Sequence, residues 1–267
     1  MTNTAPDRIA TRVERLFVPL LARDASGRGW FSDLLTATPN GRAALGELAD
    51  APGWLVTPLA VPTADGRLGA FTYQAPPPRE LLTWYVEHPE ELVWPHDAPL
   101  TREATVLRRA LLCDDPPGSQ AKAQDRAREL IGSRPPFADA WWRFEGMAAL
   151  DCVLVSNRLV VTIAAADEPE PVTDWYPQRS RLVRTLEAAK QLAEGEGRQW
   201  ASILISQRPL AEGTDAQLEQ TLVAAAPHLT REDRAELASA YLGNLTWEAA
   251  QDAVAPWLAT RPSASLR

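Results

Sequence analysis

One acidic residue, Asp151, interrupts an otherwise apolar segment, MAALDCVLV, at residues 147–155. A carboxylate in such a strand is costly unless it is paired, hydrogen-bonded or bound to a metal ion. Two interpretations stay open: a metal ligand or acid/base group, or a strand-end carboxylate that forms a salt bridge and faces solvent. Glu145 lies six residues upstream and makes a carboxylate cluster feasible, although by itself it is typical of a surface residue.

Arg179 precedes a run of apolar residues with helical spacing. With Arg179 at zero and ~100° per residue, Leu182, Val183 and Leu186 share its face, and Arg181 and Arg184 fall on the opposite side. We therefore expect Arg179 to point toward the sheet. A buried arginine needs a carboxylate or phosphate partner, unless only its aliphatic stem is covered.

Hydrophobic periodicity, turn residues and helix caps predict the elements that position these residues. The predicted helices are 6–22, 42–48, 79–86, 101–112, 120–131, 177–192, 215–226, 230–241 and 246–258, and the strands are 67–74, 147–155, 158–165 and 199–206. Ser156-Asn157 separates two strands and predicts a β-hairpin. The order indicates an α/β fold, with a mixed central sheet flanked by helices. We divide the chain into an N-terminal extension of unknown role (1–117), a core (118–207) and a helical C-terminal segment (208–267).

Composition excludes several classes of protein. The 267 residues include 27 Lys+Arg and 35 Asp+Glu, a formal charge of −8, which disfavours a protein that coats nucleic acid through bulk charge. No apolar run is long enough for a membrane helix, and the first ten residues lack a secretory signal. Two cysteines, Cys113 and Cys152, make neither a disulfide framework nor a zinc site. We expect a cytoplasmic protein without a membrane partner.

The order of hairpin, helix with an inward Gln or Arg, and strand resembles the PD-(D/E)XK, or restriction-endonuclease-like, nuclease superfamily. Its signature is an Asp on one strand and Glu-x-Lys at the end of the next. Asp151 matches the Asp, but the Glu-x-Lys positions here are Ala164, Ala165 and Ala166. FEGMAALDCVLVSNRLVVTI and TDWYPQRSRLVRTLEAA resemble uncharacterised bacterial members. The resemblance covers about residues 118–207, and YLGNLTWEAA in the tail is similar to the closing segment of those proteins.

The resemblance implies metal-assisted phosphodiester hydrolysis, in which an ion activates water and neutralises charge on the phosphate. It implies that Asp151, with Glu145 as a candidate second carboxylate and the backbone carbonyl of Ala165, would hold Mg²⁺. Arg179 would point at Asp151, frame the cation pocket with it, and orient a carboxylate or the scissile phosphate. With alanine at 164 and 166, one ligand and the lysine are missing. We therefore expect this chain to bind Mg²⁺ poorly and to cleave slowly or not at all.

Three explanations of the alanines stay open: an inactivated variant of a parent with Glu and Lys at positions 164 and 166, a natural pseudo-nuclease, or an accidental resemblance. The first predicts an Mg²⁺-dependent DNA endonuclease of a bacterial system for phage defence or DNA processing. A protein partner would supply recognition, because the acidic chain should bind DNA weakly by itself; the chain could also form a homo-oligomer. The alternative function is a non-catalytic pseudo-nuclease that serves as a binding or assembly module.

Overall fold

The computed structural model describes residues 12–13, 15–17, 19–20, 28–41, 57–58, 73–95, 101–135, 141–155, 159–166, 175–195, 197–208 and 215–259. The described residues between 12 and 20 are helical. The helices that follow are α1 (Arg28–Ala37), α2 (Arg79–Glu87), a 3₁₀ turn (Pro89–Glu91), α3 (Arg102–Cys113), α4 (Gln120–Ser133), α5 (Arg181–Glu194), α6 (Asp215–Ala225), α7 (Arg231–Ala240) and α8 (Trp247–Ala259). The strands are β1 (Thr57–Pro58), β2 (Tyr73–Ala75), β3 (Ala148–Leu150), β4 (Cys152–Val155), β5 (Leu159–Ala166), β6 (Gln199–Ser206) and β7 (Tyr241–Thr246).

A mixed sheet with the order β1-β4-β5-β6-β7 forms the centre of the fold, and its two-residue edge strand β1 pairs with β4. The pairs β1–β4 and β4–β5 are antiparallel, whereas β5–β6 and β6–β7 are parallel. A separate antiparallel pair joins β2 to β3. The predicted α/β class, with a mixed central sheet and helices near both ends of the chain, is confirmed.

Helices cover both faces of the sheet because successive strand residues point to opposite sides. Val161 and Ile163 of β5 belong to a core shared with α1, α8 and the N-terminal helical residues. Val160, the intervening residue of the same strand, packs in a core with Ala188 and Ala193 of α5. The result is a three-layer arrangement in which α5 crosses one face between the parallel strands β5 and β6.

Polar caps fix where several helices begin. Thr230 and Asp233 form the predicted capping box at the start of α7. Thr101 Oγ1 accepts a hydrogen bond from the Ala104 N–H at α3, and Ser180 Oγ accepts one from the Val183 N–H at α5. These short-range signals explain why the predicted starts of α3 and α7 agree with the structure.

Three predicted elements need correction. The strand predicted over 147–155 is two strands that meet at Asp151. The helix predicted from Pro177 begins at Arg181, after the Ser180 cap. The C-terminal segment contains β7 in addition to the three predicted helices. The predicted helix 42–48, residues 67–72 of a predicted strand and the hairpin turn at 156–158 lie outside the described residues.

The outer edge of β7 is covered by the segment that follows α1. The Asn40 N–H donates to Leu242 O at 3.0 Å, and Asn40 Nδ2 donates to Tyr241 O at 3.4 Å. Gly243 has φ +113°, and a Cβ atom there would lie 2.6 Å from Pro39 Cδ. These contacts cover part of an otherwise exposed strand edge. Among the described residues, we find no helix that is both long and apolar enough to cross a bilayer.

Candidate functional site

Asp151 lies at the bend where one extended segment changes its strand partner. Leu150, just before it, pairs with β2, and Cys152, just after it, pairs with Ile163 of β5. Continuing this antiparallel register puts Asp151 opposite Ala164. Asp151 Oδ2 accepts a hydrogen bond from the Ala165 N–H at 2.7 Å. The structure therefore brings Asp151 and positions 164 and 165 together, as the resemblance implies. The register expected from a two-residue break at Ser156-Asn157 is wrong, because Val155 pairs with Val160 and not with residue 158.

The cationic partner of Asp151 is Arg181, not Arg179. The Arg181 guanidinium forms an ion pair with Asp151 Oδ2, and the two side chains are only 21% and 12% exposed. The prediction that Arg181 lies on the far, solvent-facing side of the helix is wrong. Arg179 precedes the first helical residue, so a helical wheel started from Arg179 does not describe the side chains correctly.

Burial dominates the electrostatics of Asp151. Desolvation raises the pKa of this carboxyl above its ordinary value, although the charge of Arg181 and the hydrogen bond from the Ala165 N–H oppose that effect. Asp151 is thus a carboxylate whose ionised form depends on nearby donors. The arrangement joins the end of the β4–β5 ladder to the first turn of α5.

The strand positions beside Asp151 carry only methyl groups. Ala164 and Ala165 are buried, with 1% and 0% exposure, and Ala166 is the last residue of β5, opposite Ser206 of β6. Residue 164 has the same strand parity as Val160, which packs against α5. A longer side chain at position 164 would therefore project toward the side of the sheet where Arg181 begins α5.

Arg179 lies at the centre of a buried ionic cluster. Its Nε and Nη2 donate to Glu145 Oε2 and Oε1 at 2.9 and 3.1 Å, and Nη2 also donates to Glu187 Oε2 at 2.6 Å. Nη1 donates to Ala225 O at 3.1 Å. Burial opposes the charge of Arg179, but Glu187 and Glu145 together hold its pKa well above the ordinary value. The predicted inward direction is correct, and of the two predicted kinds of partner, carboxylate or phosphate, Arg179 has carboxylates. The expectation that Arg179 points at Asp151 is wrong, because its carboxylate partners are Glu145 and Glu187.

Glu145 is buried, so its expected surface position is wrong. Besides Arg179, the Tyr85 hydroxyl donates to Glu145 Oε2 at 3.1 Å, and Arg184 Nε lies 2.9 Å from Oε1. Arg184 Nη2 also donates to Gly146 O and Met147 O, so its predicted far-side position is wrong as well. Burial, followed by the charge of Glu145, raises the pKa of Tyr85. Both carboxylate oxygens of Glu145 are therefore occupied by protein groups.

The opposite end of the cluster contains Glu187 and His228. Glu187 Oε1 lies 3.2 Å from His228 Nε2, and both side chains are nearly inaccessible. Among the described residues, neither of these two atoms has an aligned hydrogen-bond partner, and neither does His228 Nδ1. Burial opposes ionisation of Glu187, but the charge of Arg179 and the nearby imidazole lower its pKa to about 2. The cluster is therefore built to keep Glu187 ionised.

These donors do not fit a divalent cation. Mg²⁺ requires hard oxygen ligands in near-octahedral geometry. Asp151 is paired with Arg181, Glu145 is paired with Arg179 and Arg184, and Ala165 presents an N–H to Asp151. Within the described ranges, no group of three His, Cys, Asp or Glu side chains is arranged to hold a metal. The described arrangement is a set of matched ion pairs, which can tie segments of the chain together.

Comparison with protein-family models, curated proteins and solved structures gives no match to this chain. Sequence reasoning found Asp151, the 164–166 triplet and Arg179. It missed Tyr85, Glu187 and His228, and it misplaced Arg181 and Arg184. Glu187 carries the one usable signal, since it is a charged residue between Leu186 and Ala188 in the apolar part of α5.

Proposed function

We propose that the chain has a restriction-endonuclease-like core that serves as a non-catalytic binding or assembly module. The order of antiparallel hairpin, crossing helix and parallel strand supports this core, and so does the register that sets Asp151 opposite residue 164. The three-part division of the chain and a cytoplasmic location belong to the same proposal.

The main observation in support of the proposal is the set of contacts that the Asp151 carboxylate makes. Its carboxylate contacts a guanidinium and a backbone N–H, both of which are hydrogen-bond donors, and the neighbouring strand positions 164 and 165 are buried alanines. Metal-assisted hydrolysis needs oxygen ligands around an ion with an open position for water. The residues around Asp151 supply one carboxylate that is already neutralised by Arg181, so this site is not suited to metal-assisted cleavage, which favours the non-catalytic module.

The second candidate is the Mg²⁺-dependent DNA endonuclease, with this chain as its inactive form. One observation favours it. Continuing the β4–β5 register puts residue 164 opposite Asp151, and residue 164 lies at the end of β5 that also contains Ala166. A glutamate at 164 would place a second carboxylate beside Asp151. DNA and a protein that supplies recognition are the proposed partners, since the charge of −8 disfavours strong DNA binding by the isolated chain.

Cleavage of supercoiled plasmid in MgCl₂ or MnCl₂ separates the two candidates. The chain and the double variant Ala164→Glu/Ala166→Lys are compared, with the same double variant carrying Asp151→Asn as the matched control. The module predicts that none of the three cleaves above background, because Arg181 still neutralises Asp151. Metal-dependent cleavage by the double variant that Asp151→Asn abolishes would establish the endonuclease instead. Cleavage by the unmodified chain, and its absence in a fourth protein that carries only Asp151→Asn, would refute the module directly.

A further inference from the structure

Four large hydrophobic side chains are exposed among the described residues, and two of them adjoin the segment Trp175–Tyr176 directly. The Val93 N–H donates to Trp175 O at 2.8 Å, and the Trp94 ring lies 5.4 Å from the Trp175 ring in an edge-to-face arrangement. Val93 and Trp94 are 52% and 36% exposed, whereas Trp175 and Tyr176 are buried. The exposed pair therefore stands on a buried aromatic support.

A third exposed hydrophobic residue, Val223, approaches the same segment from α6. Val223 is 56% exposed and lies in the last turn of that helix. The Tyr176 hydroxyl donates to Ala224 O at 2.6 Å, and Arg179 donates to Ala225 O at 3.1 Å, so the end of α6 is fastened to this segment. We refer to Val93, Trp94 and Val223 together as the Trp94 surface.

The fourth exposed hydrophobic residue, Val106, lies on a different face. The Arg108 guanidinium lies 4.3 Å from the Trp175 ring centroid, so this side of α3 faces the aromatic segment. Side chains two positions apart on a helix point about 200° apart, so Val106 points away from Trp175. Val106 has the same 56% exposure as Val223 and is outside the Trp94 surface.

The Trp94 surface has the composition of a protein-binding site. Grouped exposed apolar side chains mark interaction sites on soluble proteins, and tryptophan is enriched among the residues that contribute most to binding. The Trp94 ring packs on Trp175, which in turn packs on Phe144 with ring centroids 5.4 Å apart. This support holds the Trp94 ring in place before a partner arrives, which lowers the entropy cost of binding.

The exposed charges beside the Trp94 surface are acidic. Glu90 and Glu91 are exposed just before Val93, and Glu219 is exposed one helical turn before Val223. Burial, followed by the charge of Glu91, raises the pKa of Tyr176, which places Glu91 close to the aromatic segment. A second copy would bring the same acidic residues together between two chains of charge −8. A cationic partner is attracted instead.

We propose that the Trp94 surface binds a cationic amphipathic segment of another protein. Apolar side chains of the partner pack on Trp94 and Val223, and its lysine or arginine residues face Glu91 and Glu219. This inference deepens the proposed binding or assembly module and rests on it only in treating the chain as a binding protein.

Fluorescence anisotropy with a labelled helical peptide tests the proposal. The probe consists of leucine and lysine, is about four helical turns long and has one apolar face. We expect Val223→Ser to weaken its binding about fivefold and Trp94→Ala to weaken it about tenfold or more. Val106→Ser is the matched control and should change the affinity by less than about twofold, because Val106 points away from the surface.

A pair of charge reversals tests the acidic rim. Glu91→Lys should weaken binding of the same peptide about fivefold. Glu194→Lys changes the net charge equally at an exposed position at the end of α5 and should have less than about a twofold effect. All the substituted side chains are exposed, so each variant should keep a Tm close to that of the unmodified chain.

Three results would overturn the proposal: no binding of the peptide, equal affinities of Val223→Ser and Val106→Ser, or equal effects of the two charge reversals. Sedimentation equilibrium of the chain alone examines the other occupant. A dimer that Val223→Ser dissociates and Val106→Ser does not would assign the surface to a second copy and refute the cationic partner.

The result is separable from the cleavage experiment. Metal-dependent plasmid cleavage would refute the non-catalytic module without affecting peptide binding at the Trp94 surface. Absent or unselective peptide binding would refute this surface and leave the cleavage result unchanged.

Discussion

Arg179 and Glu145 form a bidentate ion pair in the interior of the protein, with side-chain exposures of 0% and 1%. The pair joins the residue two positions before α5 to the segment that leads into β3. Glu187 and the Ala225 carbonyl accept hydrogen bonds from two further N–H groups of the guanidinium, so Arg179 is bonded to three other segments of the chain. We assign it a structural role beside the Asp151 site.

Removal of Arg179 should be among the most destabilising single substitutions in the chain. Arg179→Met leaves Glu145 and Glu187 without their main counter-charge, and breaking a buried pair in this way costs about 3–5 kcal/mol. Urea unfolding measures the loss. The control is Arg126→Met, which removes an exposed pair with Glu129 and should cost less than about 1 kcal/mol. Equal costs for the two variants would contradict the buried cluster.

Glu187 should make the protein sensitive to acid. Its pKa is about 2 in the folded protein, below the unfolded value of about 4.3, so its ionisation stabilises the fold above about pH 4. This stabilisation is lost as the pH falls through the folded pKa. The free energy of unfolding should therefore decrease from pH 5 to pH 2. Glu187→Gln should be less stable at pH 7 and should approach the unmodified protein toward pH 2. A constant difference across this range would show that Glu187 does not titrate as described.

Two substitutions separate the contributions of Asp151. Asp151→Asn keeps an acceptor for the Ala165 N–H but loses the charge opposite Arg181, whereas Asp151→Ala loses both. A buried donor left without its acceptor costs about 1–3 kcal/mol, so the alanine variant should be the less stable by about that amount. Chemical denaturation gives the difference. If Asp151→Ala matches or exceeds Asp151→Asn in stability, the hydrogen bond does not hold the strand end.

The covered edge of β7 gives a test remote from the site. Gly243→Ala would strain a backbone with φ +113° and push a methyl group against Pro39, at an expected cost of about 1–3 kcal/mol. Gly132→Ala in α4 is the control, because its new Cβ meets no other atom and alanine favours a helix by about 1 kcal/mol. The Tm measured by thermal unfolding should therefore fall for Gly243→Ala and rise for Gly132→Ala.

Patterns among residues close in sequence predicted the elements whose ends are set by short-range interactions. Strand β6 agrees with its prediction at both ends because its apolar run is bounded clearly, and the capping box at Thr230 located α7. Strand β7 was missed because YLGNLT contains Gly and Asn, and its pairing depends on β6, about 40 residues away. A short strand of this composition gains its stability from neighbours, which sequence periodicity does not report.

In the candidate site, too, features set by neighbouring residues were predicted and features set by residues far apart in sequence were not. Asp151 stood out because a charge interrupts an apolar run, but the predicted two-residue break at Ser156-Asn157 would put it opposite residue 162, whereas the observed register pairs Val155 with Val160. Only the resemblance pointed to residue 164. The ion pairs could not be assigned, since Arg181 and Asp151 are 30 residues apart and the Ser180 cap decides which side chains the first turn directs inward. The burial of Glu145 depends on Tyr85, 60 residues away.

The central claim is that a guanidinium, and not a metal ion, neutralises Asp151 in this chain. Crystals of the unmodified protein soaked in MnCl₂ test it through anomalous difference density. We predict no peak at Asp151 and the Arg181 guanidinium in contact with the carboxylate. A manganese peak within ~2.5 Å of a carboxylate oxygen of Asp151, with Arg181 displaced, would contradict the account.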